Sequence, residues 1–229
     1  MASLFRDLFD VCQLCGIAFG LHLHKNRANS VLINGKPIFG RVIFAHGAGA
    51  PMDHEFMQIM SKLLADQGLE VHRFEFPYMH ERRINGKKRP PDRLPRLIEY
   101  FQQIISTMPD TAPLYLAGKS MGGRVSTMVL EESIARSAFV FGYPFHPAGK
   151  PDRLRTEHLE DIAKPIHIFQ GSRDAMGSEE EVRGYNLSEK VDVHWLHDAN
   201  HDLKPRKVSG FSQQEYLNYC AQTVGELIR

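Results

Sequence analysis

The chain reads as one α/β domain: a mostly parallel sheet of about seven strands with helices on both faces. Three observations predict this. Short β-branched or aromatic runs alternate with segments of helical apolar spacing from residue 30 to the end. The runs are continuously apolar rather than strictly alternating, as strands covered on both faces are. Finally, no repeat, low-complexity tract or linker divides a chain of 229 residues, a length suited to one sizeable core.

Residues 1–25 stand apart from the domain, which spans 26–229. VCQLCGIAFGL is apolar, but Asp7 and Asp10 precede it and no small-x-small cleavage site follows. Too short to span a bilayer, it reads as a helix packed on the body or on a partner, a second copy or another protein. SVLING (30–35) and RVIFAHG (41–47) then read as paired strands. HEFMQIMSKLLADQG (54–68) places Phe56, Met60 and Leu63 or Leu64 at helical spacing and stops on Gly68, with the strand LEVHRFEF (69–76) behind it.

In residues 92–108, Leu94, Leu97, Ile98, Phe101, Ile104, Ile105 and Met108 form one helical stripe, and PLYLAG (113–118) is the returning strand. A helix from about Ser120 follows, then strands at 137–143, 165–171 and 191–196 and a short helix near 157–162. Ser178 with Glu181, and Ser212 with Glu215, form capping-box signatures that start two further helices.

Composition narrows the function. Lys and Arg total 28 against 27 Asp and Glu, a formal charge of +1 that gives no global reason to bind nucleic acid or a membrane surface. Cys12, Cys15 and Cys220 are too few and too uneven for a disulfide framework, which points to a reducing, cytoplasmic compartment. Cys12 and Cys15, with His22 and His24 downstream, have a chelating spacing, yet no second cysteine pair completes a zinc site, so no metal is expected.

LYLAGKSMGG (114–123) carries two incompatible motifs. A phosphate loop needs a glycine where Pro113 stands, and a strand-like Leu114–Ala117 cannot wrap an anion with its amides. The other motif, Gly118-x-Ser120-x-Gly122, is a nucleophile elbow, in which a strand turns sharply into a helix and exposes a serine. Its partners follow in the order such sites use: Asp174 just after strand 165–171 and His201 just after strand 191–196, at the strand ends where open α/β sheets build their sites. His197 competes with His201 on spacing, and Asp198 and Asp202 flank it.

Acyl transfer also needs N–H donors for the developing oxyanion. Met121 supplies one and Ala48, in His46-Gly47-Ala48-Gly49-Ala50, the second, with Gly49 as the alternative. His46 is expected to brace that loop. Three basic segments should overlie the same edge: Arg82, Arg83, Lys87, Lys88 and Arg89; Lys150, Arg153 and Arg155; Lys204, Arg206 and Lys207. They read equally as a rim attracting an anionic acyl substrate, with Arg82, Arg83, Arg89 and Lys204 as contacts, or as solvated surface charge. Tyr78 reads equally as pocket wall or core.

The elbow, the HGAGA loop and the order serine, aspartate, histidine resemble the α/β-hydrolase superfamily over about residues 30–229. HGAGAPMDHEFM, FEFPYMHERR, RPPDR, GKSMGGR, GYPFHPAGKPDRLRTEHL and HDLKPRK resemble its KANL/Tex-like branch, related to dienelactone-hydrolase-type proteins. The resemblance implies a single-domain α/β-hydrolase fold with Ser120, Asp174 and His201 at the triad positions. The expected activity is serine hydrolysis of a small-molecule ester or related acyl bond, without cofactor. A non-catalytic interaction module on the same fold is the competing expectation, and a nucleotide binder using AGKS is a third.

Overall fold

The computed structural model describes residues 31–229, so the N-terminal apolar segment, Cys12, Cys15 and the proposed partner contact lie outside the described residues. Seven strands form one sheet: β1 (Leu32–Asn34), β2 (Gly40–Ala45), β3 (Leu69–Phe74), β4 (Leu114–Lys119), β5 (Ala138–Phe141), β6 (Ile166–Gly171) and β7 (Val191–Leu196). Their spatial order is β1-β3-β2-β4-β5-β6-β7, and every neighbouring pair except β1 with β3 is parallel.

One expected pairing is corrected. β1 lies antiparallel on β3, Leu32 opposite Arg73, and not on β2. Both edges of β2 are taken by β3 and β4, and Val42 to Ala45 are fully buried. The half-exposed β1 suits a sheet edge instead, where Arg73 Nη2 ties it down by donating to Asn34 Oδ1 at 2.9 Å.

Side chains of a strand alternate between faces, and two clusters follow from that. On one face, α1 (Glu55–Asp66) and α6 (Gln213–Leu227) bring Met60, Leu64, Leu217 and Val224 onto Val42, Phe44 and Phe169. On the other, α3 (Leu94–Ser106) and α4 (Met121–Leu130) bring Leu97, Phe101, Val125 and Val129 onto Ile43, Leu116 and Ile168. Each fully buried Leu or Phe contributes about 1.5–3 kcal/mol. Cys220 sits in the first cluster, and burial pushes its thiol pKa up, so it holds no reactive thiolate.

The capping boxes at Ser178 and Ser212 start α5 (Glu179–Val182) and α6 as expected. The helix expected near 157–162 is a short 3₁₀ turn, Glu157–Leu159. The sequence reading missed α2 (Pro77–Asn85), treating it as loop. Its signals were Pro77 at the first turn and Gly86, at φ 70°, past its end. With only Tyr78 and Met79 buried, it shows no apolar stripe.

Candidate active site

The strand β4 runs into α4 through Ser120, whose φ of 52° and ψ of −116° lie outside the regions L-residues favour. Holding a non-glycine residue there costs on the order of 1–3 kcal/mol, which the packed turn must offset. The packing also dictates the neighbours. A Cβ on Gly118 would meet the Gly122 backbone at 2.2 Å, and one on Gly122 would meet the carbonyl oxygens of Ala45 and His46 at 2.5 Å. Glycine is therefore required where α4 crosses β2 and β4.

β4, β6 and β7 are co-aligned, so the residues following them emerge at one edge of the sheet. There Ser120 Oγ lies 2.8 Å from His201 Nε2, and His201 Nδ1 lies 2.7 Å from Asp174 Oδ2. Asp174 is 1% exposed. Its carboxylate also accepts from Gln170 Nε2 and from the Met176 N–H, each at 2.8 Å. The competitors go elsewhere: His197 is exposed and turned to Phe211, Asp198 is bound by Arg173 and Arg206, and the Asp202 side chain is 71% exposed.

Two residues that position this group were not singled out from sequence. Gln170, fully buried on β6, accepts from the Tyr143 N–H at 2.7 Å and donates to Tyr143 O and Gly177 O, which fixes the amide that holds Asp174. Lys119 is the residue that made AGKS look like a phosphate loop. It ends a buried strand, and its Nζ donates to His201 O at 2.7 Å. Burial pulls the Lys119 ammonium pKa down, and the charges of Asp202 and Asp174 oppose that. Neither residue could be found from spacing, because each acts on a segment distant along the chain.

Ala48 and Met121 face the same cleft as Ser120. Among the described residues, neither N–H donates to an intramolecular acceptor. The Ala48 loop is tightly held: Tyr78 Oη donates to Ala48 O at 2.9 Å, and Arg82 Nη1 donates to Gly49 O at 3.1 Å. His46 Nδ1 donates to Gly47 O at 2.7 Å, and its Nε2 accepts from the Phe76 N–H at 3.1 Å. Burial lowers the His46 pKa, the neutral form this tautomer needs. Tyr78, 1% exposed, is thus a brace beneath the loop rather than pocket wall.

The residues of the basic rim have different surroundings. Arg82 serves the Ala48 loop. Arg83 binds Glu75 Oε2 at 2.9 Å and Asp53 Oδ1 at 2.8 Å, so its charge is already matched by two carboxylates. Arg89 binds Asp92 at 3.0 Å and Glu81 at 2.8 Å. Lys204 is exposed on the loop carrying His201. Arg82, Arg83 and Arg89 are thus bound by groups of the protein itself.

The cleft itself has a volume of about 430 Å³, within the range of small-molecule sites. Leu94, Leu97 and Val125 form its apolar wall, and Arg124 and Arg155 line it alongside Ser120. Away from this edge, His167, Asp192 and His194 on β6 and β7 are the described residues whose side-chain donors, all within 4.8 Å of one another, could hold a metal ion. They play no part in the cleft.

A family model described as an alpha/beta hydrolase domain matches residues 39–229. No curated protein matches the chain by sequence. Among solved structures, a dienelactone hydrolase from Anabaena variabilis superposes with a TM-score of 0.63 at 19% identity, covering 86% of this chain and 88% of that one. A monoacylglycerol lipase from Paleococcus ferrophilus gives 0.61 at 13% identity, covering 85% and 98%. A lidless α/β serine hydrolase from Xanthomonas campestris gives 0.60 at 17% identity, covering 85% and 88%. At these identities the likeness is one of fold.

Proposed function

The chain belongs to the alpha/beta hydrolase family, and from that premise we propose that it is a serine hydrolase acting on a carboxylic ester or related acyl bond of a small molecule. The observation that carries this reading is the unbroken line from Ser120 Oγ through His201 to Asp174, at 2.8 and 2.7 Å, with the serine on a strained turn. His201 Nε2 takes the Ser120 proton as Oγ attacks the carbonyl. Asp174, its second oxygen anchored by the Met176 N–H, keeps the proton of His201 on Nδ1 and stabilises the imidazolium. The Ala48 and Met121 amides receive the oxyanion, with the N-terminus of α4 favouring negative charge there.

Collapse of the tetrahedral intermediate expels the alcohol or thiol, which takes the proton from His201. A water deprotonated by the same imidazole then attacks the acyl-serine and releases the acid. Every step uses side chains and amides of this chain. The reading places the enzyme in a reducing, cytoplasmic compartment and includes a preference for anionic substrates. The ion-paired Arg83 and Arg89 lend that preference no support; its support comes from inside the cleft.

A fluorophosphonate probe tests the reading. The wild-type protein should label covalently at one site, and Ser120→Ala, with an unchanged melting temperature, should not label. A folded wild-type protein that refuses the probe and all short acyl esters would instead be an interaction module on a hydrolase fold.

A further inference from the structure

Two guanidinium groups in the cleft are matched by no acid among the described residues. Arg124 lies on α4 just past Ser120, Arg155 in the segment after β5, and both line the cleft beside Ser120 and Met121. Among the described residues neither forms an ion pair, and Arg124 Nε is buried without a hydrogen-bond partner. Four other arginines of this edge are matched by acids, Arg83 by Glu75 and Asp53, Arg89 by Asp92, Arg173 and Arg206 by Asp198, while Arg82 is taken by the Gly49 carbonyl and Arg153 is exposed. Asp92 is the one acid among the residues lining the cleft. It is committed to Arg89 and Arg96 and accepts from the Tyr78 N–H at 3.1 Å.

The pair carries a positive field that its neighbours register. Burial, then the charge of Arg124, lowers the Arg155 pKa below the ordinary arginine value. Burial, then Arg124, brings His158 down to about 4, so at neutral pH that imidazole is uncharged, 2.9 Å from Thr127 Oγ1. Tyr143, whose hydroxyl donates to Arg155 O at 2.8 Å, is neutral as well. Two half-buried like charges raise each other's energy unless an anion arrives between them, and a planar guanidinium is the group best shaped to take an oxyanion.

We propose that Arg124 and Arg155 bind a compact oxyanion, carboxylate or phosphate, carried by the substrate within a few atoms of its scissile carbonyl. This rests on Ser120 being the nucleophile, and it makes the substrate an acidic ester or thioester, such as a half-ester of a dicarboxylic acid. The arginines then do double service, anchoring the charged end and setting the carbonyl against Ser120 Oγ.

The test compares p-nitrophenyl hemiglutarate with p-nitrophenyl valerate, a neutral ester of similar length. The wild-type protein should favour the charged ester in kcat/KM. Arg124→Gln and Arg155→Gln should each lower that preference about 10- to 100-fold while changing valerate hydrolysis by no more than a few-fold, and Arg155→Lys should restore part of it. Should Arg124→Gln lose its fold on melting, Arg155→Gln, outside the helix, carries the test. Valerate turnover and fluorophosphonate labelling with an unaltered ester preference in both variants would overturn the anion site and leave the Ser120 reading intact. Absence of both labelling and turnover would overturn the two together. Protection of the wild type from the probe by glutarate assigns the oxyanion as carboxylate, and protection by inorganic phosphate alone assigns it as phosphate.

Discussion

Asp174 and Arg83 are both charged side chains at the edge of the sheet that carries Ser120, yet they are used in opposite ways. Asp174 follows β6 directly, is anchored by Gln170 and the Met176 amide, and presents its remaining capacity to His201. Arg83 projects from α2 and is taken up by Glu75 and Asp53. The difference lies in what places each group. Strand ends are fixed by the sheet, so a side chain there must point into the cleft, whereas a long cation on a surface helix goes to whichever carboxylate its flexible stem can reach. Position in the sequence therefore speaks for the first and not for the second.

The largest expected effect sharpens the first half of that contrast. If the edge works because the backbone holds it rigid, the loop carrying His201 needs its own tether, and Lys119 Nζ on His201 O is that tether. Lys119→Met keeps the buried stem and removes the ammonium. It should lower kcat about 10- to 100-fold with little change in KM, since a misplaced base costs transition-state geometry rather than substrate binding. An unchanged kcat would mean that the loop is held without Lys119 and that the lysine is merely a buried charge.

The same contrast explains which features are legible in the sequence. The seven strands were legible as apolar runs, and with them the edge at which Ser120, Asp174 and His201 emerge, because chain order and strand ends together fix that edge. The pairing of β1 was not, since three residues half exposed to solvent match either β2 or β3 in pattern alone. Nor was α2, whose turns are charged. Gln170, Lys119 and Arg124 were hidden for another reason: each is an ordinary residue of a strand or helix until folding brings a distant partner, or none, beside it, whereas Arg155 was legible as a basic residue of the rim but not as the neighbour of Arg124.

The second prediction tests whether the α2 arginines are structural. Glu75 is 1% exposed, and Arg83 supplies it with a charged partner from a side chain that is 39% exposed. Arg83→Gln should cost about 1–3 kcal/mol in denaturant unfolding, toward the lower figure because the solvent-facing half of the network is screened. The ratio of hemiglutarate to valerate hydrolysis should stay as in the wild type. A variant of full stability with a reduced ratio would reverse the comparison and return the anion site to the rim.

The smallest effect concerns Asp198, which ties the His201 loop to Arg173 and Arg206. The hydrogen bond from Arg206, followed by the charges of Arg173 and Arg206, lowers its pKa from 3.8 to about 2. A carboxylate whose folded pKa is depressed stabilises the fold at pH above its unfolded value, and that contribution fades as pH falls through the folded value. The difference in melting temperature between the wild type and Asp198→Asn should therefore be constant above about pH 4 and shrink toward pH 2, a window set by 3.8 and about 2. Trp195, the chain's single tryptophan, precedes the loop on β7 and supplies a fluorescence signal for it. A difference that stays flat down to pH 2, or widens, would show that the arginines do not depend on the Asp198 charge.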